Sequence, residues 1–116
     1  MRRLLVVLAA GSVSGCFPRV AAVPGELSSA EVDAAKTRFA DATPESLEKG
    51  RHAFVDHCDH CHGFPDLAYL KDDQWPATAE RMGKKAEMDP AEIALLQRWI
   101  AAAYPHAVQT YAAKPK

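Results

Sequence analysis

The chain has 116 residues, with 14 lysines and arginines against 15 aspartates and glutamates and an apolar fraction of 48%. That length holds one small domain, and the two charge signs are mixed along it with no basic stripe, which excludes nucleic acid as a partner. Three cysteines are present, an odd number that a set of disulfides leaves unexplained.

Arg2 and Arg3 precede the apolar run from Leu4 to Ala10, far short of the ~20 residues that cross a bilayer, so residues 1–15 read as a secretory signal absent from the mature protein. The sequence Val13-Ser14-Gly15-Cys16 resembles the bacterial lipoprotein box, which implies cleavage before Cys16 and acyl chains on its thiol. The alternative is an ordinary signal cut nearby, with Cys16 left as a thiol or in a disulfide. Several chains at ~0.8 kcal/mol per buried methylene make such an anchor permanent. Phe17, rather than an aspartate, follows the cysteine, and the same resemblance then places the protein on the periplasmic side of the outer membrane. Loss of Arg2 and Arg3 moves the balance to 12 basic against 15 acidic residues.

Residues 16–27 contain Pro18, Pro24 and Gly25 without helical periodicity and read as a lipidated cysteine and tether. Fully stretched, Phe17 to Leu27 reaches at most ~35 Å. A domain is expected over residues 28–104. Ser28 to Glu31 offers a capping box for a first helix with apolar contacts at Val32, Ala35 and Phe39. Thr43-Pro44 starts a second, on which Leu47, Gly50, Phe54 and Val55 share a face leading into Cys58.

That helix delivers Cys58-Asp59-His60-Cys61-His62. Two thiols about one helical turn apart, followed at once by an imidazole, form the attachment pattern of a c-type haem: Cys58 and Cys61 add to the two vinyl groups and His62 ligates the iron. A zinc site with His52 or His57 as fourth ligand is the alternative. With Cys16 assigned to lipid, the haem reading leaves no cysteine over.

Gly63 to Asp66 is a turn by composition. Trp75-Pro76 starts a third helix carrying Ala79 and Met82, with Gly83 a weak point inside it. Asp89-Pro90 starts a fourth, where Ile93, Leu96, Trp99, Ile100 and Ala103 recur at helical spacing; Pro105 is expected to end it, leaving residues 105–116 as a C-terminal tail. No alternating pattern supports a strand. The fold class is all-α, about four helices in a small bundle around one covalently bound haem. So small a domain has a marginal core of its own, and the porphyrin is expected to complete it.

The chain resembles a small class I type monohaem cytochrome c from about Ser28 to Ala103. The resemblance rests on Leu47-Glu48-Lys49-Gly50-Arg51 with Phe54, the CxxCH motif, Trp75-Pro76 with Arg81-Met82, and a terminal amphipathic helix. It implies that the helix before the haem crosses the last helix where Gly50 faces Trp99. The usual long loop between histidine and methionine is missing, as in a short-loop subgroup with a Trp-Pro helix and an Arg-Met pair. For the distal iron ligand Met82 is the first choice, because Gly83 beside it removes a side chain and because the gap to the terminal helix suits the family. Met88 is second, ~9 Å from Met82 along the axis if the segment between is helical, and a histidine such as His52, His57 or His106 is third. The Pro65 carbonyl is expected to accept a hydrogen bond from His62; Trp75 is assigned either to a haem propionate or to the core.

The function implied is a membrane-tethered periplasmic electron carrier with His/Met-ligated haem c, held by lipid on Cys16 and exchanging electrons with redox proteins as donor and acceptor. Arg81, Lys84 and Lys85 are a candidate docking patch for them. The alternatives are a haem-based binder or sensor of small ligands with an open or displaceable sixth site, and a haem subunit of a larger oxidoreductase. No catalytic acid, base or nucleophile stands out, so the chain does not read as an enzyme.

Overall fold

A computed structural model describes residues 20–58 and 63–112. Its helices begin where local chemistry satisfies the free N–H groups of a first turn. Ser28 caps α1 (Ser29–Arg38): its Oγ accepts from the Glu31 N–H at 3.2 Å, and the Ser28 N–H donates to the Glu31 carboxylate at 3.3 Å. Thr43 caps α2 (Pro44–His57) with Ser46 as the reciprocal partner and Pro44 at the first helical position. α3 (Trp75–Lys85) opens on Trp75-Pro76. At the start of α4 (Pro90–Ala112), Asp89 Oδ1 accepts from the Glu92 N–H at 2.9 Å.

α4 is the central element and packs against α1, α2 and α3. It buries Ile93, Leu96, Trp99, Ile100 and Ala103, which its periodicity predicts, and also Ala101 and Ala102. The crossing with α2 is close because Gly50 lacks a side chain: a Cβ there would stand 2.7 Å from Trp99 Cβ and nearer still to the Leu95 carbonyl oxygen. Phe54, one turn further, packs on Trp99 with ring centroids 4.7 Å apart. A smaller cluster of Ala35, Ala42, Leu47 and Ala102 fastens α1 to this pair. Between the CxxCH sequence and α3 the chain makes two 3-10 turns, Leu67–Tyr69 and Asp72–Gln74. They are pinned from outside, since Trp75 Nε1 donates to the Leu67 carbonyl at 2.8 Å and the Tyr104 hydroxyl to the Leu70 carbonyl at 2.9 Å.

The described chain is all-α apart from one strand pair. β1 (Val20–Ala21) runs antiparallel to β2 (Phe64–Pro65), with Val20 opposite Pro65 and Ala21 opposite Phe64. Residues 16–27 are read above as a lipidated cysteine and tether; the structure describes this stretch only from Val20. From Val20 onward the segment belongs to the domain: Arg51 Nη1 donates to the Pro24 carbonyl at 3.3 Å, and Leu27 packs against both buried clusters. Two residues are too few to show alternation, so only the tertiary pairing reveals the strand.

Residues 105–112 are corrected, from tail to helix. Pro105 gives up the bond to the Ala101 carbonyl, yet α4 runs on to Ala112, with Tyr104 and Ala107 on either side packing against the core. Among the described residues no helix is long and apolar enough to cross a membrane.

Candidate cofactor site

α2 ends at Cys58, whose N–H donates to the Phe54 carbonyl at 2.9 Å, so the register that buries Phe54 also fixes the first thiol. Cys58 is half-buried and packs against the main core. Asp59 to His62, and with them Cys61 and His62, lie outside the described residues, as does Cys16. The chain reappears at Gly63 with φ 91°, a left-handed conformation that a side chain would strain. Phe64 then stacks on Phe54 at 5.6 Å. Both flanks of the pentapeptide are thereby tied to the same core ring.

Beside this point lies a cavity of about 670 Å³, within the ~300–1,000 Å³ range of cofactor sites. His57, Cys58, Gly63 and Pro65 line it from the motif side. α3 contributes Thr78, Arg81, Met82 and Lys85, spaced i, i+3, i+4 and i+7 and so forming one face of the helix. Tyr69 and Leu70 contribute from the loop, and Leu96 from α4.

Both candidate methionines reach this cavity, and a backbone turn is the reason. α3 stops at Lys85. The Glu87 N–H donates to the Lys84 carbonyl at 3.1 Å and the Met88 N–H to the Gly83 carbonyl at 2.9 Å, with Glu87 at φ 61°. This is a Schellman turn with a non-glycine residue in the left-handed position. It folds Met88 back toward Gly83, in place of the axial separation that a continuous helix would give. Met88 is 7% exposed and belongs to the main core, its Sδ 3.6 Å from where a Gly83 Cβ would stand. Met82 is half-buried, lines the cavity and belongs to neither buried cluster. The role read for Gly83 changes as well: its open side meets Ile93, whose Cγ1 would be 2.6 Å from an added Cβ.

Charge on the wall is mainly basic. Three of the described arginines are paired, Arg38 with Asp72 at 2.9 Å, Arg51 with Glu48, and Arg98 with Asp41 at 2.8 Å. Arg81 and Lys85 have no such carboxylate among the described residues; Glu87 is the acidic residue on the same wall. Lys84 turns instead to Glu80 at 2.8 Å, which holds the Glu80 carboxyl below its ordinary range, so of the three candidate docking residues Lys84 forms a surface pair while Arg81 and Lys85 line the cavity. His57 Nε2 lies 2.9 Å from Glu92 Oε1, tying α2 to α4. His52 and His106 are exposed and line no part of the cavity. Trp75 is 3% exposed and its indole N–H serves the Leu67 carbonyl, which decides for its core role.

Sequence reasoning brought Cys58 and both methionines to this region but missed that Arg81 and Lys85 line the cavity. The signal was their i, i+4 spacing about Met82. Comparison with protein-family models, curated proteins and solved structures gives no match to this chain.

Proposed function

We propose that the protein is a membrane-tethered periplasmic electron carrier with one haem c joined to Cys58 and Cys61, His62 as the proximal iron ligand and Met82 as the distal one. The observation that carries this reading is the cavity itself, which has the cysteine that opens CxxCH on one side and a helix face bearing a thioether on another. The residues present fit the group. Cys58 is anchored at the end of α2, Leu70, Leu96 and the methionines supply apolar wall, and Arg81 and Lys85 supply charge for the porphyrin carboxylates. Haem, when bound, supplies a one-electron couple whose potential is raised by Met/His ligation.

The chain's own part is to hold the ligands and exclude water. Met82 is the better distal ligand because Met88 is already committed to the core and to the turn at Gly83. Lipid on Cys16 would retain the carrier at the periplasmic face of the outer membrane, with separate redox proteins as donor and acceptor.

Carbon monoxide binding to the reduced, haem-loaded chain tests the reading. Slow or absent binding is expected of the native protein and rapid binding of Met82→Ala. Rapid binding by the native protein would favour a ligand sensor instead.

A further inference from the structure

The pairing of β1 with β2 bears on how a lipid-anchored domain would stand on its membrane. Cys16 and Val20 are four residues apart, a span of at most ~13 Å at ~3.3 Å per residue. From Val20 on, the chain is fastened at three successive points: Val20 and Ala21 to Pro65 and Phe64, Pro24 to Arg51, and Leu27 to the core. The anchor therefore acts on the domain at Phe64–Pro65, and Pro65 lines the cavity.

From this we infer that the part of the cavity lining formed by Gly63, Pro65, Tyr69 and Leu70, together with the clasped segment Val20 to Gly25, is a membrane-contacting face, and that its partner is the bilayer holding the chain's own lipid. This rests on the reading of Cys16 as lipidated. The face suits a lipid surface. Val23 is 61% exposed and Tyr69 42% exposed, and a tyrosine, apolar in body and polar at its tip, is at home at the water–lipid boundary. The antiparallel register brings the chain into β1 from the Asp66 end of β2, the end that continues to Tyr69. An anchor so short and so placed leaves the domain little freedom to turn its opposite side to the lipid. Electrons would then enter or leave beside the membrane surface.

The test uses the full-length chain, exported, haem-loaded and inserted in phosphatidylethanolamine–phosphatidylglycerol vesicles. It is compared with a variant carrying a 12-residue Gly/Ser linker between Arg19 and Val20, long enough to add roughly 19 Å of root-mean-square reach. Amide hydrogen exchange is read on peptides covering residues 21–25 and 63–70. Exchange several-fold slower in the native chain than in the linker variant, with α1 unchanged, is the result expected. Equal exchange, with intact mass showing acyl chains in both, would overturn the proposal while leaving the anchor in place. A mature chain without acyl mass would overturn it through the reading of Cys16, and mass alone tells these two failures apart.

Discussion

Gly50 and Trp99 meet where α2 crosses α4, with the Trp99 Cβ only 2.7 Å from the place a side chain on Gly50 would occupy. This contact sets the distance between the two helices that hold the core, and Cys58 sits two turns further along α2. Alanine at position 50 gains ~1 kcal/mol in helix propensity but must push back a backbone carbonyl, and overpacking of that kind costs ~1–3 kcal/mol. Gly50→Ala should lower stability by up to about 2 kcal/mol on balance, seen as a lower denaturant midpoint. A raised midpoint would show that the helices do not cross here.

Met82 and Met88 line one cavity, but only Met88 belongs to the buried core, and the proposed reading gives the iron to Met82. Met88→Ala removes a core side chain and should destabilise the protein by about 2–5 kcal/mol while the Met–iron absorption band of the oxidised protein persists. Met82→Ala should abolish the band with a smaller loss of core stability. The reverse pattern would transfer the distal role to Met88.

Glu87 holds a left-handed conformation, φ 61°, that glycine adopts without penalty. Glu87→Gly should stabilise the protein by roughly 1 kcal/mol and leave the absorption spectrum unchanged. Thermal unfolding checks this, and a lower melting temperature would mean that the Glu87 side chain contributes more than its backbone loses.

Much of this fold is legible in short stretches of sequence, because a helix start is a local event. Ser28 with Glu31, Thr43 with Pro44, and Asp89 with Pro90 each satisfy a first turn with atoms three or four residues away. The crossing at Gly50 is expected only from the resemblance stated for the sequence, and it is the close approach of Trp99 and Leu95 that shows it. What sequence reading misses depends on partners distant in the chain. β1 has meaning only beside Phe64–Pro65, the indole of Trp75 only beside the Leu67 carbonyl, and the persistence of α4 beyond Pro105 only through the packing of Tyr104 and Ala107. Of the site, Cys58, Met82 and Met88 are brought to one cavity, and the basic wall emerges only once α3 has a neighbour.

Arg51 links the N-terminal clasp to acid. Its guanidinium donates to Glu48 and to the Pro24 carbonyl, and the bond to Glu48 holds that carboxyl below its ordinary range. Because the folded-state pKa is the lower one, this contribution is present above the ordinary carboxylate range near ~4.3 and is lost as pH falls through the folded value. The protection of the amides in residues 21–27, taken relative to their intrinsic exchange rates at each pH, should fall over that interval, and Glu48→Gln should show low protection on both sides of it. A native chain indifferent to pH there would remove Glu48 from the clasp.

Arg81 and Lys85 place positive charge on the cavity wall. If the proposed haem is bound, positive charge would favour its reduced iron, which carries one charge fewer, so the double variant Arg81→Gln with Lys85→Gln should lower the midpoint potential by roughly tens of millivolts. Both side chains are exposed, and an unchanged potential at low salt would show that water screens their charge from the cavity.

The central claim, covalent haem on Cys58 and Cys61, is tested most directly by intact mass and by oxidised and reduced absorption spectra of the full-length chain, made in cells that attach haem c. The account predicts one haem per chain that survives denaturation and a sharp low-spin spectrum with the weak Met–iron band when oxidised. A folded chain with free thiols at both positions and no haem, or with zinc in its place, would contradict it.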